Sequence, residues 1–265
     1  IFIASAGFYW YNLSVTQTPR ELRVFVATSL VSVIESARQT FEKENNCKIV
    51  TNAASSSALY QQIHSGSPAD VYMVADFKWT KTLKGEGLLY NDEYWNFTTN
   101  TLIVILPDDN PKNITALWEL TKPNTRIIAG AWSIPVGPYT NATLTKIDQT
   151  WGNPKDPNYK GAAYEHFRDK IITNIVSYES TVENVVGKIL LGTGDAGFAF
   201  VSDATVQGSK LKYIQIPSEV NTKGTYGIAV IKDSTQKDLA SRYVDFWRSE
   251  KGQKLLKNFG FGTTV

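Results

Sequence analysis

From Glu21 onward, short apolar runs alternate with segments in which apolar residues recur at every third or fourth position. A continuous run bounded by turn residues suits a buried strand, and recurrence at three and four suits a helix with one buried stripe. Leu22 to Val26 reads as a first strand, and Ser29 opens a helix that carries Leu30, Val33, Ile34, Ala37 and Phe41 on one face. Lys48 to Thr51 and Asp70 to Val74 follow as strands, and Leu102 to Leu106, closed by Pro107, is expected to be buried on both faces. Further strands are expected at Arg126 to Ala129, Ile171 to Ser177, Gly197 to Phe200, Lys212 to Ile216 and Tyr226 to Ile231. Helices are expected after the serines at Ser55, at Lys78 to Leu88, Thr115 to Leu120, Tyr139 to Trp151, Tyr164 to Asp169, Val182 to Leu191 and Gln236 to Lys257. Strands and helices in alternation make an α/β fold. The Pro- and Gly-rich stretch WGNPKDPNYKG, Trp151 to Gly161, reads as a loop.

Before Glu21 the pattern changes. Ile1 to Val15 carries no charge, the chain opens on Ile, and the polar, Pro-containing TQTPRE follows. This stretch is too short to span a bilayer and is expected to be the remnant of a signal sequence or membrane anchor, with residues 1–20 as anchor and linker. A core strand is the alternative. Asn12, Asn96, Asn113 and Asn141 lie in N-x-S/T sequons, which accept glycans only in an exported protein.

Composition narrows the chemistry. Of 265 residues, 42% are hydrophobic and 20% charged, enough for a substantial core in two lobes. The net charge of +2 arises from scattered residues, so no basic face is laid out for a phosphate backbone, and nucleic acid is not an expected partner. One cysteine, Cys47, and two distant histidines, His64 and His166, supply neither a disulfide nor a thiolate or imidazole metal cage. No P-loop, dinucleotide fingerprint, nucleophile elbow or zinc-protease motif occurs, and the acid pairs lie in turns. Catalytic residues are therefore not assigned.

One pattern does recur, a strand ending in small residues that runs straight into a helix. It appears at V-A-T-S-L (Val26 to Leu30), A-S-S-S-A (Ala54 to Ala58), I-P-V-G-P (Ile134 to Pro138) and S-T-V-E (Ser180 to Glu183). The first turn of a helix exposes unpaired N–H donors and a partial positive charge, so several such turns converging on one point can hold an anion without lysine or arginine. Each serine alone is explained as an N-cap. Three in a row, Ser55 to Ser57, exceed what one cap uses.

The blocks VFVATSL, ASSSALYQQIHSGSPADVYMVAD and GTGDAGFAFVSDA together resemble the periplasmic molybdate-binding proteins of ABC importers, in order from about Glu21 to Gly260. The resemblance implies a two-lobed type II periplasmic-binding-protein fold with the ligand cleft between lobes. Lobe I would comprise 21–99 and 226–265 and lobe II 100–225, with crossings near Thr99 to Leu102 and Thr225 to Ile228. It also implies an extracellular or periplasmic solute-binding protein; the N-terminal stretch is its one expected tie to the membrane, and a binding protein that must close around its ligand is most simply a monomer. Its ligand would be molybdate or tungstate, delivered to ABC permease transmembrane subunits without a cofactor. The implied ligand residues are Ser29 and Ser56, through hydroxyl and N–H, and Val136 and Val182, through backbone N–H; the metal is reached only through the oxyanion's oxygens. At the fifth position the family usually has a tyrosine, and here Phe200 lacks that donor, which Tyr178, Tyr139 or Tyr226 would have to replace. Archaeal relatives that bind tungstate or molybdate can also bring carboxylates to the metal, and by that resemblance Glu183, beside Val182, is the neighbour expected to do so. Sulfate binding, an enzyme on the same two-lobe fold, and a surface receptor with a degenerate site are the alternatives.

Overall fold

The computed structural model describes residues 19–264. The expected anchor at Ile1 to Val15 and the Asn12 sequon lie outside the described residues. The elements in chain order are β1 (Arg20–Ala27), α1 (Val31–Asn45), β2 (Cys47–Ala54), α2 (Ser56–His64), β3 (Val71–Val74), α3 (Lys78–Gly85), β4 (Leu89–Pro107), β5 (Ile127–Gly130), α4 (Val136–Thr150), α5 (Phe167–Asn174), β6 (Ile175–Glu179), α6 (Val182–Leu190), β7 (Ala196–Phe200), α7 (Val201–Gln207), β8 (Leu211–Gln215), β9 (Lys223–Ile231), α8 (Lys237–Arg248) and α9 (Glu250–Asn258).

The strands lie in the order β2-β1-β3-β9-β4-β7-β5-β6, with β8 paired to β4. β1 runs parallel to β2 and β3, and β5 parallel to β6 and β7. The two parallel groups are joined by the antiparallel strands β9 and β4. Over Leu89 to Thr101, β4 pairs with β9; from Leu102 it pairs with β7 and, from Ile103, with β8 as well. One 19-residue strand thus serves both halves.

Every residue of β3, β5 and β7 is buried, as expected for strands covered by helices on both faces. In β1, Val24 and Val26 join Leu30, Ile34, Phe41 and Trp247 on one face, while Phe25 joins Leu59, Tyr72 and Leu83 on the other. In the second half, Leu102, Val104 and Phe198 pack with Ile147 and Phe167, and Ile103, Ile105 and Ala199 pack with Val185 and Ile189. The result is a two-lobed α/β architecture with helices on both faces of each half.

Several elements depart from the expected pattern. Ile171 belongs to α5 rather than to a strand, because Phe167 and Ile171, one helical turn apart, are both fully buried against the core; β6 begins only at Ile175. The terminal helix is broken at Ser249, whose extended backbone ends α8 and whose Oγ accepts from the Gly252 N–H to start α9. The expected strand Leu102 to Leu106 is the end of β4, and the seven-residue α7 has too little periodicity to be read from sequence. Cys47 is buried, and burial raises its thiol pKa.

Candidate functional site

The parallel strands on both sides of the joining pair direct their C-terminal ends toward one crevice, where open α/β sheets bind ligands. β1 ends at Ala27 and is followed by a 3₁₀ turn, Thr28 to Leu30, that contains Ser29; β2 ends at Ala54, just before Ser56. β5 ends at Gly130 before the turn leading to Val136, β6 ends at Glu179 before Val182, and Phe200 is the last residue of β7. Ser29, Ser56, Val136, Val182 and Phe200 all line one cavity of about 290 Å³. The sequence places the first four at similar strand-to-helix junctions and the resemblance adds Phe200, and the sheet brings them together.

The three consecutive serines divide their work. Ser55 is the N-cap of α2 and accepts from the Ala58 N–H at 3.2 Å, while Ser57 Oγ lies 3.3 Å from Ser55 Oγ. Both are exposed. Ser56 is half-buried and lines the cavity; its Oγ accepts from the Ala75 N–H at 3.1 Å and its carbonyl accepts from the buried Tyr72 hydroxyl at 2.9 Å. With a lone pair committed to Ala75, the Ser56 hydroxyl keeps its own proton to donate.

Ser29 is not the N-cap that its position suggests: neither the 3₁₀ turn nor α1 has a side-chain cap. Its Oγ instead lies 3.2 Å from the hydroxyl of Tyr226 on β9. Ser56, Val136 and Val182 are the first residues of α2, α4 and α6, so their N–H groups have no intrahelical acceptor. The N-cap of α6 is Thr181, which accepts from Asn184 N–H at 3.2 Å; that of α4 is Pro135, which has no oxygen in its side chain. Val136 is buried as a whole residue and lines the cavity, and its backbone N–H at the start of α4 is the one polar donor it can offer there.

The described residues lining the cavity include no lysine or arginine, but they include two carboxylates, Glu183 and Asp203. Glu183 is exposed. Asp203 accepts from the Phe200 N–H at 2.8 Å, and its pKa is pushed up to about 7 by burial, against that hydrogen bond and reinforced by the charge of Glu183. No motif along the chain marks Asp203 for a role, although it lies within GTGDAGFAFVSDA.

Of the three tyrosines considered as substitutes for the missing hydroxyl, Tyr139 and Tyr226 line the cavity. Tyr178 instead packs against Trp132 with ring centroids 5.4 Å apart and is 45% exposed. The Tyr139 ring meets that of Phe200 edge-on at 5.6 Å, and burial pushes its pKa up to about 12, so its hydroxyl stays a neutral donor. Among the described residues, none pairs with that hydroxyl.

Residues 22–262 match the family described as bacterial extracellular solute-binding protein. The molybdate-binding protein ModA of Mycobacterium tuberculosis is 31% identical over 247 residues, covering 93% of this chain and 86% of ModA. A Clostridium difficile substrate-binding domain assigned to a molybdenum ABC transporter superposes with a TM-score of 0.77 at 28% identity, over 92% of this chain and 99% of that one. The periplasmic molybdate-binding protein of Azotobacter vinelandii gives 0.73 at 20% identity, over 92% and 100%, a likeness of fold.

Proposed function

Because this chain belongs to the family of bacterial extracellular solute-binding proteins, we propose that its cleft captures a tetrahedral oxyanion, molybdate or tungstate, for delivery to the transmembrane subunits of an ABC permease. The observation that carries this reading is the convergence of three helix starts and two serine hydroxyls on one cavity lined, among the described residues, without lysine or arginine. Helix-end N–H groups and hydroxyls are fixed dipoles that stabilise a dianion, and while Asp203 holds its proton they offer few acceptors, which favours a fully deprotonated guest. The proposed contacts are Ser29 and Ser56 through hydroxyl and N–H, Val136 and Val182 through N–H, and the Phe200 ring as wall. The metal is held only through its oxygens, without a cofactor.

The cavity of about 290 Å³ is several times the volume of such an anion. Capture then requires the lobes, 21–99 with 226–265 and 100–225, to close about crossings at Thr99 to Leu102 and Thr225 to Ile228, in a monomer tethered outside the cell by its N-terminal segment. Selection rests on the closed size: shorter bonds in sulfate leave the donors overlong, and hydrogen bonds weaken as they stretch. Calorimetric titration with molybdate, tungstate, sulfate and phosphate tests the assignment. Heat with molybdate or tungstate and weaker binding of sulfate is expected; no heat with any of the four sinks the transport reading, and tighter sulfate binding overturns the ligand.

The Tyr139 hydroxyl, unpaired among the described residues and beside Phe200, is the best placed substitute for the family's tyrosine. Restoring the hydroxyl at the original position in Phe200→Tyr should tighten molybdate binding by up to about tenfold, the worth of one added neutral hydrogen bond. Weaker binding in that variant would mean that the pocket is built around the phenyl ring.

Asp203 makes capture pH-dependent. Its folded pKa of about 7 lies above the ordinary carboxylate value, so the proton is held at pH 6 and mostly lost at pH 8. Ionised Asp203 and a dianion in the same cavity repel each other, so affinity should fall as pH rises through about 7, by roughly threefold to tenfold. The same sign applies to stability: with the carboxyl raised from 3.8 to about 7 in the fold, stability falls as pH rises between those two values and levels off once Asp203 is ionised in the folded state too. Asp203→Asn keeps an acceptor for the Phe200 N–H and should flatten the affinity profile between pH 6 and pH 8; a wild-type profile already flat over that range excludes the coupling.

A further inference from the structure

Behind the cavity, a hydrogen-bonded chain links the two halves of the protein to Ser29. Asn100 lies on β4 at the point where its pairing passes from β9 to β7, is fully buried, and does not line the cavity. Its Nδ2 donates to Ser202 Oγ on α7 at 2.8 Å and to the Tyr226 hydroxyl on β9 at 3.4 Å. The Tyr226 hydroxyl, itself buried, lies 3.2 Å from Ser29 Oγ. In that last pair either oxygen could be the donor on distance alone.

Asn100 removes the ambiguity. The Thr101 N–H meets the Asn100 amide oxygen at 3.1 Å, and a backbone N–H can only donate, so the oxygen must face Thr101 and the amide nitrogen must face Tyr226. The Tyr226 oxygen then accepts from Asn100, and its single proton is left for Ser29 Oγ. Ser29 in turn accepts from Tyr226, which turns its own proton away from Tyr226 and toward the cavity that it lines. We infer that Asn100 is a positioning residue that polarises the chain Asn100, Tyr226, Ser29, so that Ser29 meets the ligand as a donor and offers no acceptor to the O–H of an oxyanion that carries a proton. This rests on the oxyanion reading above and extends it to selectivity: molybdate carries no proton, whereas hydrogen phosphate, a dianion of equal charge, has an O–H that needs an acceptor.

The test is the ratio of molybdate to hydrogen phosphate affinity at about pH 8, measured by calorimetry. Both ligands are dianions, so a general loss of positive potential or a loosened fold moves them together, and the ratio reports the direction of the hydroxyl. Asn100→Leu removes the amide, and Tyr226→Phe removes the middle hydroxyl without touching the Thr101 N–H; each frees Ser29 to turn round. Each is expected to narrow the ratio by about threefold to tenfold, and neither should narrow it further in a Ser29→Ala background, since the effect passes through Ser29. If Asn100→Leu is too unstable to titrate, Tyr226→Phe alone decides. Wild-type protein that gives no heat with molybdate, tungstate, sulfate or phosphate would defeat the oxyanion reading itself. Wild-type protein that binds molybdate, with the ratio unchanged in the folded variants or shifted equally without Ser29, would overturn the role of Asn100 alone.

Discussion

Gly137→Ala is expected to reduce molybdate affinity by about a hundredfold or more and to lower stability by about 1–3 kcal/mol, the usual cost of an overpacked site. A Cβ at this position would lie 2.2 Å from the Ala131 carbonyl oxygen, 2.8 Å from the Ala131 carbonyl carbon and 2.8 Å from Trp132 Cα. These are backbone atoms of the turn after β5, which cannot rotate aside as a flexible side chain would. The Gly137 N–H also donates to the Ile134 carbonyl at 3.0 Å, tying the same turn. Relief can come only from shifting the start of α4, and with it the Val136 N–H, by an amount comparable to the tolerance of a hydrogen bond. Gly187, on α6 in the same half, has nothing within 4 Å of its Cβ position, and Gly187→Ala should be neutral or stabilising by up to about 1 kcal/mol. Thermal melts with and without molybdate would separate the two. Wild-type affinity in Gly137→Ala would show that the α4 start does not contact the anion.

Ser29→Ala and Ser56→Ala should each weaken molybdate binding by about tenfold to a hundredfold, as expected when a hydrogen bond to a charged partner is lost from a desolvated site. The double variant should show no measurable heat. Their stabilities are expected to differ. Removing the Ser56 hydroxyl leaves the Ala75 N–H without its acceptor, at a cost of about 1 kcal/mol or more, whereas Tyr226 keeps its bond from Asn100 when Ser29 is truncated. Unchanged affinity in both single variants would move the site elsewhere.

Much of this site was legible at the level of junctions. Small residues at the ends of predicted strands, followed at once by helices, flagged all of V-A-T-S-L, A-S-S-S-A, I-P-V-G-P and S-T-V-E, because both the strand run and the helix start leave local compositional marks. What each hydroxyl does was not legible. Ser29, read as a plausible cap, instead bonds Tyr226, a residue 197 positions later, and the cap among the three serines is Ser55. Phe200 was recognised as a missing donor, yet only the edge-on contact with Tyr139 shows which ring stands beside it. Asp203 carries no local mark of a role, because nothing along the chain reveals that it is desolvated in the cavity wall.

The sequence by itself determined the alternation of strands and helices, the helix starts that could hold an anion and the absence of motifs for several common enzyme classes, since these depend on local periodicity and residue type. Only the tertiary structure decided which starts converge, which hydroxyls remain free to donate, and that Asn100 stands behind Ser29. Those outcomes depend on the order of strands in the sheet and on partners more than a hundred positions apart, such as Asn100 and Tyr226, whose pairing leaves no periodic trace along the chain.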